Sequence, residues 1–149
     1  MQVEYQGRIS VVVPFPVVPT SPGLFTVNAS GRGQTASLNE DGSYNSTTNP
    51  ATRGSIVVLY ATGEGKTTPD GVDGKLTDSK LPKPQAAVNV TVGGVEAEVI
   101  YVGGAPGLTA GLLQINIRVP LGSTPSGSAP VIVKIGSASS QIGATIATR

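Results

Sequence analysis

The sequence contains no cysteine, no histidine and no tryptophan in its 149 residues. Without cysteine the chain cannot form a disulfide framework or a thiolate metal site, and without histidine it cannot form a Ser-His-Asp triad. Ten Lys and Arg nearly balance nine Asp and Glu, and no segment concentrates positive charge as a phosphate-binding surface requires. We therefore predict a protein that is not an enzyme, has no resident cofactor and does not bind nucleic acid.

Long apolar runs and a leader peptide are also missing. No run of about 18 apolar residues is present, so we expect no membrane span. Met1 is followed by Gln2-Val3-Glu4, which shows neither the basic region nor the apolar region of a signal peptide. We expect either that a leader was removed or that the chain is an excised piece of a longer protein.

Turn-forming residues are abundant and are set among runs rich in Val and Ile. The chain has 20 Gly and 12 Pro, a composition typical of short strands joined by many turns. Apolar and polar residues alternate over 88–92, 95–101 and 113–119, whereas 55–61 is apolar on both faces and is the best candidate for a central strand. The segment after Pro120, which is rich in Ser, Gly and Pro, is predicted to be a loop that extends to Pro130. The predicted fold is an all-β, immunoglobulin-like β-sandwich with an extra N-terminal β-hairpin.

The start of the chain repeats a pattern from its end. At one constant offset of 130, Val3, Tyr5 and Ser10 recur as Val133, Ile135 and Ser140. In both places an alternating apolar run meets a small-residue turn, so we predict a β-hairpin over residues 1–13, here called the leading hairpin. Four prolines follow between positions 14 and 22 and form an extended connector. We therefore divide the chain into a hairpin and linker, 1–19, and a sandwich, 20–149.

A hairpin of this kind cannot bury an apolar face by itself, so it is expected to join a sheet. That sheet can belong to its own domain, to another domain of the same protein or to another copy of the chain. The last arrangement would build a filament by strand donation. The predicted donated face consists of Val3, Tyr5, Ile9, Val11 and Val13.

Five strings of the sequence together carry a resemblance to a known family. They are Pro22–Phe25, Asn49–Gly54, Ala61–Gly65, Gly93–Ala97 and Leu113–Pro120. In this order they resemble the uncharacterised C-terminal domain family of large secreted proteins of the Solibacter type, which is itself similar to the TIG/IPT class of immunoglobulin-like domains. The resemblance runs from about Pro22 to the end of the chain. It implies an extracellular or cell-surface bacterial module, and it carries no catalytic residues.

A calcium site is an alternative use of the loop that follows the central strand. Asp70, Asp73 and Asp78 supply hard oxygen ligands of the kind that calcium prefers. Their spacing does not match an EF-hand, and the dipeptide Asp-Gly is also common in turns that bind no metal.

Two loops, 62–84 and 103–111, are the candidate surface for a cell-surface or matrix ligand, either a glycan or a protein. A glycan platform normally uses exposed aromatic side chains, of which this chain has few. A pair of carboxylates could also act in catalysis. The candidates Glu96 and Glu98, however, lie on the face of a strand that is predicted to be exposed to solvent.

Three asparagines match the glycosylation pattern: Asn28, Asn45 and Asn89. The pattern is short and arises often by chance. The favoured interpretation of the whole sequence is a non-catalytic extracellular structural or adhesion module, and a ligand-binding module is the alternative.

Overall fold

The computed structural model of the chain describes residues 1–72, 74–77 and 80–149. All regular secondary structure in these residues is β-strand, and the sheets pack as a sandwich-like arrangement preceded by a small N-terminal hairpin. The predicted all-β fold is therefore confirmed. The strands are β1 Glu4–Tyr5, β2 Arg8–Ile9, β3 Gly23–Leu24, β4 Gly33–Gln34, β5 Ser37–Asn39, β6 Ile56–Thr62, β7 Thr67–Thr68, β8 Lys83–Pro84, β9 Val88–Val92, β10 Val95–Gly104, β11 Leu113–Arg118, β12 Ser126–Ile135, β13 Ala138–Ser139 and β14 Ala144–Thr148.

Strand β6 is central in the first layer, as its apolar sequence predicts. It pairs with β11 on one side and with β3 and β5 on the other. Strand β10 belongs to both layers, because 98–104 pair with β11 and 95–97 pair with β9. The second layer continues from β9 to β12, and then to β13 and β14, with β4 parallel to β14. The predicted hairpin between β9 and β10 is confirmed, and its turn residues Gly93 and Gly94 both have positive φ.

The hydrophobic core lies between the two layers and consists of alternate residues of the longer strands. Because side chains of a strand point alternately to its two faces, every second residue of β6, β11 and β12 is buried. Each fully buried Val, Leu or Ile contributes about 1.5–3 kcal/mol of hydrophobic stabilisation. The largest fully buried side chains are Leu59, Leu113, Ile115, Ile117, Ile135, Ile146, Val57, Val90, Val92, Val119, Val131 and Val133.

The predicted loop up to Pro130 is wrong, because β12 already begins at Ser126. Residues 126–130 pair with β14, and 131–135 pair with β9. Pro130 therefore lies where the strand changes its neighbour, and its carbonyl oxygen still accepts a hydrogen bond of 2.8 Å from the Gly93 N–H. A residue without an N–H group is tolerated at such a change of partner. Local turn propensity was overridden by the pairing available from two other strands.

A buried asparagine, Asn45, ties a loop to the edge of the sandwich. Its Nδ2 donates to the carbonyl of Ala147 and to Asn39 Oδ1, both at 2.9 Å. Its Oδ1 accepts from the Ala147 N–H and from Gln34 Nε2, both at 2.8 Å. The side chain thus uses its full hydrogen-bonding capacity, and it satisfies both backbone groups of Ala147 as a neighbouring strand would.

We expect Asn45→Ala to lower the free energy of unfolding by about 2 kcal/mol, because it leaves the buried N–H of Ala147 without a partner and its C=O with only the hydrogen bond from the Ala51 N–H. Chemical denaturation measures this loss. The matched control is Asn28→Ala, which removes an exposed side chain bonded only within its own turn and should change stability by at most about 0.5 kcal/mol. Equal stability of the two variants would contradict the role of Asn45.

Candidate functional site

The leading hairpin is regular although it contacts no larger sheet. Tyr5 pairs with Arg8, and the two turn residues Gln6 and Gly7 have φ of 50° and 73°. Two positive φ angles are typical of the type I′ turn, whose twist matches that of paired strands. Further out, Met1 and Val13 exchange two backbone hydrogen bonds of 2.6 and 2.9 Å. The hairpin is therefore hydrogen-bonded along the whole of residues 1–13.

The apolar side chains of the leading hairpin and its linker are exposed. Ten large apolar residues within 1–18 have exposed fractions between 44% and 98%. A soluble single domain rarely exposes so much contiguous apolar surface, so such a segment marks an interaction site. The set includes the five residues singled out from the sequence, and adds Met1, Val12, Phe15, Val17 and Val18, which we passed over because the prolines indicated a linker.

The register of the hairpin divides the five predicted residues between two faces. Directly paired residues of antiparallel strands point to the same side, and Glu4 pairs with Ile9. Ile9 therefore lies on the face of Glu4, while Val3 and Tyr5 lie on the opposite face together with Arg8. The expectation of one donated face is corrected. Val3 and Tyr5 form an apolar row on one face of the hairpin, here called the inner row, and Ile9 lies on the opposite face.

The linker reaches the sandwich at a defined place, where three successive residues are held. The Ser21 N–H donates to the Gly63 carbonyl at 2.9 Å, and Thr20 Oγ1 donates to the Ile135 carbonyl at 2.8 Å. Gly65 has φ of 74°, and a Cβ at this position would overlap the carbonyl oxygen of Pro19. Residues 19–21, here called the clamp, are thus held by contacts with the β6–β7 connection and with β12.

Gly65→Ala should loosen this junction. Both it and the control Gly42→Ala place alanine at a positive φ, which costs about 1–2 kcal/mol. Only Gly65→Ala adds the overlap with Pro19, and we expect a further loss of about 1–3 kcal/mol together with faster hydrogen exchange at the Ser21 amide. Nothing lies within 4 Å of a Cβ at Gly42. Equal protection of Ser21 in the two variants would exclude the clamp.

The two loops that were expected to form a binding surface meet in space. Thr77 N–H donates to the Leu108 carbonyl at 2.8 Å, and Ala110 N–H donates to the Lys75 carbonyl at 2.9 Å. A cavity of about 330 Å³ opens beside these contacts. We call residues 62–84 and 103–111 the loop cluster. The first loop is less irregular than expected, because β7 pairs with β8 inside it.

One buried hydroxyl lines the cavity of the loop cluster. Thr77 is 6% exposed, and its Oγ1 has no hydrogen-bond partner among the described residues. Asp70, Lys75 and Lys80 line the same cavity, so it combines charged and hydroxyl groups. No pattern in the sequence distinguishes Thr77 from the other threonines of this loop.

Of the three predicted calcium ligands, only Asp70 lies within the described part of the chain. Asp70 is exposed beside the cavity, while Asp73 and Asp78 lie outside the described residues. Within the described ranges, no group of three or more acidic, histidine or cysteine residues could hold a metal ion.

The three asparagines of the glycosylation pattern differ in accessibility. Asn28 and Asn89 are exposed, and Asn28 Oδ1 accepts hydrogen bonds from the N–H and the hydroxyl of Ser30. Asn45 is 2% exposed and fully hydrogen-bonded, so its amide is inaccessible in the folded chain. Only Asn28 and Asn89 could act as acceptors on the folded protein.

Two titratable side chains of β10, those of Glu98 and Tyr101, have structural partners. Glu96 and Glu98 are exposed, and Glu98 forms an ion pair of 2.9 Å with Arg118. Exposed ion pairs of this type contribute at most about 1 kcal/mol. Tyr101 Oη donates to the Gly104 carbonyl at 2.8 Å, and partial burial raises the pKa of its hydroxyl above the ordinary value.

Comparison of the chain with protein-family models, with curated proteins and with solved structures found no match. Across the described residues, no helix has the length and apolar character needed to cross a membrane.

Proposed function

We propose that this chain is a non-catalytic structural or adhesion module of an extracellular or cell-surface bacterial protein, and that it joins its neighbours through the leading hairpin. Its partners in this proposal are other domains of the same protein or other copies of the chain, and repetition between copies would build a filament. The extracellular location rests on the resemblance of the sequence strings alone.

The exposed leading hairpin is the observation that carries the proposal. Exposure of seven large apolar side chains in the hydrogen-bonded residues 1–13, with three more in the linker, is costly unless a partner covers them. The clamp on residues 19–21 adds support, because a segment held at a fixed exit can place a neighbour in a fixed orientation. A sandwich that is preceded by an exposed apolar hairpin is suited to joining modules by strand addition.

Sedimentation velocity and negative-stain electron microscopy of the full chain test the joining role. We expect concentration-dependent association, at least tenfold weaker in the variant Tyr5→Thr/Val11→Thr/Val13→Thr, because three apolar side chains are removed from the contact. The control Val27→Thr/Leu121→Thr/Ile142→Thr removes equally exposed side chains from the sandwich and should associate like the parent chain. Identical sedimentation of both variants and the parent would refute the joining role.

A second candidate function is ligand binding at the loop cluster. The convergence of two separately predicted loops on one cavity favours it, as does the unpartnered hydroxyl of Thr77 among the described residues. Buried polar groups normally have hydrogen-bond partners, so a ligand hydroxyl or carboxylate would complete this one.

Thr77→Val distinguishes a structural loop from a binding loop. Replacing a buried, unpartnered hydroxyl by a methyl group should leave stability unchanged or raise it by about 1 kcal/mol. A glycan array probed with the parent chain and the variant measures binding, and we expect any ligand of this cavity to bind the variant at least tenfold more weakly. No bound glycan in either case, with assembly intact, would favour the structural function.

A further inference from the structure

The leading hairpin has the same backbone pairing as the hairpin that closes the sandwich. We call residues 131–140, the second half of β12 with β13, the closing hairpin. Its paired residues are Lys134 with Ser139 and Ile135 with Ala138; those of the leading hairpin are Glu4 with Ile9 and Tyr5 with Arg8. The paired positions correspond at the offset of 130 found in the sequence, although Gln6 and Gly7 both have positive φ whereas of Gly136 and Ser137 only Gly136 does. The repeat is therefore a repeat of structure as well as of residue types.

A side-chain hydrogen bond is reproduced too. In the leading hairpin, Val3 N–H donates to Ser10 Oγ at 3.0 Å, and Ser10 N–H donates to the Val3 carbonyl at 2.9 Å. In the closing hairpin, Val133 N–H donates to Ser140 Oγ at 3.0 Å, and Ser140 N–H donates to the Val133 carbonyl at 2.7 Å. In both, the serine hydroxyl takes the place of a ladder acceptor just beyond the paired residues.

The two hairpins differ in what covers their inner rows. Val133 and Ile135 are completely buried, and β12 lies beside β9, with Val133 opposite Val90. Their counterparts Val3 and Tyr5 are more than half exposed. The leading hairpin thus has the pairing of the closing hairpin, but within this chain it has no neighbouring strand in the position that β9 takes beside β12.

In a complete copy of this chain, that insertion requires displacement of its own closing hairpin. The side of β9 in question is already paired with β12 along five residues. The closing hairpin is part of the same chain as β9, so an incoming hairpin competes with a tethered one at high effective concentration, and association between complete copies is weak. The sandwich that accepts the leading hairpin most tightly is therefore one whose β9 counterpart is unpaired.

We infer that residues 1–13 are the closing hairpin of a second sandwich of this type that lacks one of its own. Val3 and Tyr5 occupy the positions of Val133 and Ile135 beside the β9 counterpart of that partner. This inference rests on the proposed joining function and names the partner and the contact. The interface uses interactions that the fold already makes once, so no new surface is required. The clamp at residues 19–21 then connects the completed sandwich to this one.

A graft within the full chain tests whether the hairpins are interchangeable. Residues 131–140 are replaced, position for position, by a second copy of residues 1–10. We expect a folded protein whose melting temperature lies within about 10 °C of the parent, with the β9 amides still protected from hydrogen exchange. The control graft carries Glu4 and Tyr5 in exchanged order, which keeps the composition but places the carboxylate at the buried position of Ile135. It should unfold, and equal behaviour of the two grafts would overturn the inference.

A peptide experiment keeps the inference testable if the graft does not fold. The probe is a fluorescein-labelled peptide of residues 1–19, and its anisotropy is measured with the full chain and with the variant Val133→Thr/Ile135→Thr, whose closing hairpin is weakened and whose folding is checked by circular dichroism. We expect at least tenfold tighter binding to the variant, and no binding of a peptide carrying Val3→Asp/Tyr5→Asp. Absence of binding to the variant would overturn the inference.

The same experiment separates the inference from the joining function. If the peptide binds the parent chain and the weakened variant equally, the joining function stands, but the acceptor is another surface and the inference is wrong. If the sedimentation test shows no role for the leading hairpin while the peptide binds only the weakened variant, the inference stands and association between complete copies is excluded.

Discussion

The pairing of β12 with β9 and β14 is the interaction on which the rest of the structure depends. A strand exposes backbone N–H and C=O groups along both edges, and neighbouring strands that pair with these groups and cover its apolar face stabilise it. β12 pairs with β14 along its first half and with β9 and β13 along its second. The leading hairpin has the same row of inner residues, but no such neighbours in this chain. The contrast between a covered and an uncovered copy of one element underlies the functional proposal.

At irregular edges of the sandwich, amide side chains form hydrogen bonds with backbone groups in the place of a neighbouring strand. Asn45 bonds both polar groups of Ala147, and the Gln141 amide bonds both polar groups of Leu24 at 2.6 and 2.9 Å. Short strands leave many such groups without ladder partners, and burial without a hydrogen bond costs about 1–3 kcal/mol for each. Buried and half-buried amide side chains therefore stabilise this domain of short strands at the points where the sheets are interrupted.

The leading hairpin and the loop cluster are two candidate interaction surfaces that differ in polarity. The leading hairpin is apolar and exposed, and glycine-dependent contacts at residues 19–21 hold its exit in place. The loop cluster is polar, and its cavity carries charged groups and a threonine hydroxyl. An apolar ribbon is suited to a permanent contact with another sheet, whereas a polar cavity is suited to a small or exchangeable ligand. The two functions are compatible, because the surfaces comprise different residues.

The sequence by itself determined the all-β class, the central strand β6, the β9–β10 hairpin and the repeat that relates the leading hairpin to residues 131–140. Alternation of apolar residues and the positions of glycine carry this information locally. Only the tertiary structure decided that β12 extends back to Ser126, that Asn45 is buried and that the two loops meet at Thr77. These features depend on which distant strand or loop lies alongside, and pairing partners far apart in the chain leave no local pattern in the sequence.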